Sequence, residues 1–192
     1  MNEEINPRDF EKDLEASNNP SLRENWLRIF KLKFGEDIKV SWKDDVELQK
    51  GLGTDITITT KQGRRYSIEL KTRTNSCLNK DWIMEIISHV YDKKEKPNNH
   101  LFSKEGWIYS TTAEYIFHGT LDKSGNNIVE VIFYSLIPFK IEKWKGEFNK
   151  YEVLWLSTLY PNGNFQWTIN KLIPEEVIKK DALEFWRWQD ED

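Results

Sequence analysis

The stretch from Gly53 to Lys71, GTDITITTKQGRRYSIELK, constrains the fold more than any other part of the chain, because its pattern suits only a β-hairpin. Thr54 to Thr60 is rich in β-branched residues, Lys61-Gln62-Gly63-Arg64 has turn chemistry, and Tyr66 to Lys71 alternates. Successive strand side chains point to opposite faces, so Ser67, Glu69 and Lys71 share one face while Ile68 and Leu70 take the other. Asp55 stands on the neighbouring strand. Two carboxylates from adjacent strands are oxygen ligands of the kind magnesium takes alongside water and phosphate. The lysine two residues beyond Glu69 is then placed to orient an attacking water or help deprotonate it, while a cation offsets charge growing on the phosphate.

The Glu-x-Lys triplet is not distinctive alone, since Asp37-Ile38-Lys39 and Asp92-Lys93-Lys94 have the same form. Glu69 differs by context: it follows a strand and turn that carry Asp55. Asp37 opens a strand with no acidic strand before it, and Asp92 falls at a polar helix end.

Elsewhere the pattern predicts a helix from Asn6 to Ala16 and another from Ser21. In the second, Ser21-Leu22-Arg23-Glu24 has the form of a capping box, Leu22, Trp26, Ile29, Phe30 and Phe34 recur at helical spacing, and Gly35 is the stop. Asp37 to Trp42 reads as a strand. After the hairpin, Thr72 to Lys80 reads as a loop and Asp81 to Tyr91 as a helix with Ile83, Ile86, Ile87 and Val90 on its apolar side. Glu85 then falls at a solvent-facing helix position. Gly106 to Thr111 is expected to be a strand, followed by an antiparallel pair, Glu114 to Gly119 and Ile128 to Leu136. Strands at Tyr151 to Thr158 and Phe165 to Ile169 and a terminal helix from Pro174 complete the reading.

A chain of 192 residues suffices for one domain with a proper core, here read as residues 1–192 with a core at about 21–120 and an extension at about 121–192. The helix, strand and hairpin, helix, strand order predicts an α/β fold with a mixed central sheet flanked by helices, extended by C-terminal strands and a terminal helix. No window has the run of apolar residues a spanning helix needs, and the N-terminus is too acidic and polar for a secretory signal, so the expected compartment is the cytoplasm. The single cysteine, Cys77, leaves no internal disulfide or cysteine-based zinc site. His89, His100 and His118 lack metal-ligand spacing, and no phosphate-loop, dinucleotide-binding or nucleophile-elbow motif occurs. Within a formal net charge of −4, the Lys50–Lys80 segment is basic. Lys50, Lys61, Arg64, Arg65, Lys71, Arg73 and Lys80 face only Asp55 and Glu69 there, a distribution that attracts a phosphate backbone.

The Asp55, Glu69 and Lys71 constellation resembles the core motif of the PD-(D/E)XK nuclease superfamily, with its restriction-endonuclease-like fold. In that superfamily an aspartate on one strand precedes a Glu-x-Lys on the next. The similarity in element order covers roughly Ser21 to Thr120. Thr54 stands where the family places a proline, a departure the superfamily commonly tolerates. The resemblance implies a metal-dependent nuclease acting on DNA, with Asp55 and Glu69 holding magnesium (or manganese) and Lys71 catalytic. It also makes Glu24, on the helix before the first strand, the positional candidate to complete the metal shell. Lys61, Arg64, Arg65, Arg73 and Gln49 are the candidate substrate contacts, with Glu47 beside Gln49 bordering the pocket. Duplex cleavage by such enzymes implies a homodimer, for which the C-terminal tryptophans Trp144, Trp155, Trp167, Trp186 and Trp188 offer a surface. The alternatives are a nuclease-like module that holds nucleic acid or a protein without cutting, and an assembly protein built on the aromatic C-terminal half.

Overall fold

The computed structural model describes residues 8–9, 19–42, 54–74, 81–91, 104–161, 163 and 165–190. The expected hairpin is β3 (Ile56–Thr59) and β4 (Arg65–Thr74), antiparallel from Ile56 opposite Ile68 to Thr59 opposite Arg65. Gly63, at φ 81°, supplies the left-handed turn residue. β2 (Lys39–Trp42) pairs with the outer side of β3. On the inner side β7 (Tyr115–Leu121) runs parallel to β4, followed by β8 (Ile128–Ser135) and β11 (Phe185–Gln189). The result is a mixed six-stranded sheet in the order β11-β8-β7-β4-β3-β2.

Helix α1 (Pro20–Phe34) covers one face of this sheet. Asn19 caps it, with Oδ1 accepting the Ser21 N–H at 3.0 Å, Pro20 occupies the first turn, and Gly35 ends it at φ 93°. This cap replaces the one expected at Ser21 and leaves Glu24 exposed. Leu22, Trp26, Ile29 and Phe30 are buried against Ile56, Ile58, Ile68, Phe117, Val131 and Phe133. Gly119 lets the helix come close, since a Cβ there would lie 2.9 Å from the Trp26 ring.

The other face is covered by a second sheet rather than by helices. Its order is β1-β9-β10-β5-β6, formed by β1 (Arg8–Asp9), β9 (Val153–Leu159), β10 (Phe165–Pro174), β5 (Asp81–Tyr91) and β6 (Lys104–Glu105). Trp82, Met84 and Ile173 from this sheet meet Ile116, Ile132 and Tyr134 from the first. The same cluster takes in Ile108 of α2 (Trp107–Ser110), Trp144 of α3 (Glu142–Glu147) and Ile178 of α4 (Glu175–Asp181). The layers are therefore helix, mixed sheet and second sheet, an α/β arrangement. The later strands both enlarge the first sheet and, with β5, build the second.

Several segments differ from expectation, beginning with Thr72–Thr74, expected as loop, which continue β4. Asp81–Tyr91 is a strand, not a helix: it pairs with β10 along its length, from Asp81 opposite Pro174 to Tyr91 opposite Phe165, with a register shift that leaves Ile86 out of the ladder. Residues 106–111 hold the short helix α2 in place of a strand. Gly106 is what admits it, because a Cβ there would lie 2.3 Å from the Glu85 carbonyl oxygen of β5. Arg8 and Asp9, expected within a helix, pair in parallel with β9; the rest of that expected helix lies outside the described residues. The terminal helix from Pro174 is present as α4, but β11 follows it and adds an unforeseen edge to the first sheet.

Candidate active site

The hairpin register places Asp55 so that it straddles Glu69 on the facing strand. Its N–H donates to the Ile68 carbonyl at 3.1 Å, and its Oδ2 accepts the Leu70 N–H at 2.7 Å. Alternation along β4 then does what the sequence implied. Ile68 and Leu70 join the core under α1, while Glu69 and Lys71 turn together to the face covered by the second sheet. Glu69 is only 7% exposed. A carboxylate so buried must be paired, and it is: Oε1 lies 2.6 Å from Lys71 Nζ, and Oε2 accepts the Thr111 hydroxyl at 3.2 Å.

Desolvation works to lower the Lys71 pKa, but the charges of Glu69 and Asp55, the hydrogen bond to Glu69 and the charge of Glu85 together outweigh it and raise the pKa above the ordinary lysine value. Lys71 is thus an ammonium at neutral pH. Its Nζ also lies 5.4 Å from the centre of the Trp107 ring, a cation–π contact that supports the charged form. Glu85 reaches this field from β5, not from the solvent-facing helix position first expected. Lys140 is a second cation nearby. Burial lowers its pKa while Glu69 and Glu114 oppose that shift, and its Nζ donates to the carbonyls of Thr111 and Ala113 at 2.8 and 2.6 Å.

His118, opposite Lys71 in the parallel β4–β7 register, is buried. Its ring stacks on Trp82 with centroids 5.4 Å apart, meets Trp107 edge-on, and has Nδ1 3.4 Å from the Tyr134 hydroxyl. Burial first, then the charges of Arg73 and Lys71, push its pKa well below the ordinary histidine value, so it stays neutral in the fold. In the unfolded chain it takes up a proton near pH ~6.5, so the stability held above that pH is lost as the pH falls below it. The urea midpoint is expected to drop between pH 7 and pH 5, and the drop to shrink in His118→Gln. An equal drop in both proteins would show that other groups cause it.

The remaining sequence candidates are dispersed. Lys61, Arg64 and Arg65 are exposed at the hairpin tip, the nearest of them along the strand, Arg65, four positions from Glu69, or about 13 Å at a strand's rise. Lys61 is paired with Asp37 at 2.8 Å, and Arg64 donates to the Tyr115 hydroxyl at 3.2 Å. Arg73 is turned inward, its guanidinium 4.3 Å from the centre of the Trp82 ring and donating to the Asp81 carbonyl. Glu24 is exposed on α1, whose buried side packs on the opposite face of the sheet from Glu69. Gln49 and Glu47 lie outside the described residues. Of the tryptophans expected to form an interaction surface, Trp144 and Trp167 are buried, Trp155 meets Trp167 edge-on, and Trp186 and Trp188, half-buried, pack against the core beneath α1.

Trp107, Thr111, Thr112 and Lys140 were not singled out in the sequence. Residues 111–113 lie beside both carboxylate positions, Thr111 bonded to Glu69 and the Thr112 hydroxyl 3.0 Å from that of Thr54, the residue before Asp55. Two carboxylates and a hydroxyl, without sulfur or imidazole, are a donor set suited to a hard divalent cation such as magnesium. Among the described residues no group of three or more histidine, cysteine, aspartate or glutamate side chains converges as a larger ligand set, and no helix is long and apolar enough to cross a membrane. No family model matches the sequence, and neither curated proteins nor solved structures provide a match.

Proposed function

We propose that this protein is a metal-dependent nuclease hydrolysing phosphodiester bonds, with DNA as substrate, and that Asp55, Glu69 and Lys71 carry the reaction. The observation supporting it most is that Asp55 straddles Glu69 across the hairpin while Lys71, on the same face, contacts the Glu69 carboxylate. The first sheet is mixed, as the resemblance implies, with β2, β3 and β4 antiparallel to one another and β7 parallel to β4. Asp55 and Glu69 would hold magnesium, which supplies Lewis-acid polarisation of a phosphate oxygen and a more acidic bound water. Lys71, held as an ammonium, suits donation to a phosphate oxygen or a water better than proton abstraction, and places positive charge where the transition state gains negative charge.

The competing reading, a module that binds without cutting, draws on the way Glu69 is already satisfied by Lys71 and Thr111. Calorimetry with magnesium and manganese, alongside incubation with plasmid DNA and labelled RNA, separates the two. Asp55→Asn is expected to keep the fold, because its amide oxygen can still accept the Leu70 N–H, but to lose divalent-ion affinity and cleavage together. Wild-type protein that binds nucleic acid and leaves it intact in magnesium would establish the binding module instead.

A further inference from the structure

We infer that Thr111 and Lys140 are positioning residues of this centre: Lys140 staples the 111–113 turn by its two carbonyls, and the turn fixes the Glu69 carboxylate through the Thr111 hydroxyl. The inference rests on the proposed nuclease reading for its chemistry, but its geometry stands on the bonds themselves. Thr111 Oγ1 accepts the Ala113 N–H at 3.1 Å, which directs its own proton outward to Glu69 Oε2 at 3.2 Å. Glu69 is therefore gripped at both oxygens, by Lys71 on Oε1 and by Thr111 on Oε2, and its plane is set. The turn would be loose if held by one side chain. Instead the Lys140 Nζ bridges the Thr111 and Ala113 carbonyls at 2.8 and 2.6 Å, and the Thr112 hydroxyl meets that of Thr54 at 3.0 Å. Thr54 directly precedes Asp55, so one three-residue turn is anchored at both carboxylate positions and sets their spacing. Loss of a group that orients a metal's ligand in this way typically costs about 10–100-fold in metal affinity.

The test compares wild type, Thr111→Val, Thr111→Ser and Lys140→Met by manganese titration and by the 13C resonance of the Glu69 side-chain carboxyl. Thr111→Val and Lys140→Met are expected to move the resonance and weaken manganese binding by about tenfold or more, the usual effect of losing a group that orients a ligand. Thr111→Ser, which keeps the hydroxyl, is expected to restore both. A purely structural role would lower the urea midpoint of Thr111→Val and leave the resonance and the manganese affinity in place, and that result overturns the inference. Were wild type itself to bind no manganese, the nuclease reading would fail, and the resonance alone would decide the positioning role: moved in Thr111→Val and restored in Thr111→Ser supports it, unmoved rejects it.

Discussion

Lys71→Ala is expected to abolish most cleavage while leaving divalent-ion binding intact or tighter. The ammonium lies 2.6 Å from Glu69 Oε1, so it competes with a metal for that oxygen even as it stabilises the centre. Removing it frees the carboxylate and deletes the positive charge aimed at the phosphate, an effect on the order of 10²–10³ in rate for loss of one such donor. Nucleic-acid binding should change little, because Lys71 is only 36% exposed and offers a single contact among many that a backbone needs. Single-turnover cleavage and manganese titration on the same preparations read both halves. A variant that cuts at the wild-type rate, or that binds manganese tenfold more weakly, would sink the assignment of Lys71 as a charge stabiliser.

The largest stability effect is expected at Phe117. Its ring lies at the centre of the cluster beneath α1, within 5.2 Å of Phe30, 4.7 Å of Phe133 and 5.8 Å of Trp26, centroid to centroid, with Phe34 and Trp186 further out. Phe117→Ala removes the contact common to the helix, β8 and β11 and opens a cavity that rigid neighbouring rings cannot fill, at a cost of about 3–5 kcal/mol. Equilibrium urea unfolding measures it. A loss below about 1 kcal/mol would mean that the aromatic cluster repacks freely, unlike close-packed interiors generally.

The hairpin and its two faces were legible because period 2 runs unbroken from Tyr66 to Lys71 with Gly63 marking the turn. The β7–β8 pair was legible through the β-branched run of β8 and the 122–126 turn between the strands. β5 was not. The ladder skips Ile86, so the apolar residues Ile83, Ile86, Ile87 and Val90 fall at a spacing that imitates a helix, and what decides between the two is ten residues of pairing with β10, far along the chain. The β-branched content of the segment was the local clue. At the site, Asp55, Glu69 and Lys71 stood in one short segment and were read together; Thr111 reaches Glu69 from 42 positions away and Lys140 holds the Thr111 carbonyl from further along the chain, and no local spacing announces such partners. Charge alone does not distinguish a side chain that lies across a ring, as the Arg73 guanidinium lies across Trp82, from one that faces solvent.

β4 is read on both sides at once, apolar residues toward α1 and charged residues toward the second sheet, and that has a consequence for how this gene can change length. Deleting or inserting one residue between Arg65 and Ile68 would exchange the faces of the residues that follow, driving Glu69 and Lys71 into the Trp26–Phe117 core and turning Ile68 and Leu70 toward the second sheet. A change of two residues keeps the faces but shifts Lys71 out of step with His118 on β7. The turn at Gly63, with nothing within 4 Å of where a Cβ would sit, is bound by neither constraint. Length variation among descendants of this sequence should therefore accumulate at the hairpin tip and be purged from β4, a contrast that an insertion scan across residues 60–74 would display directly.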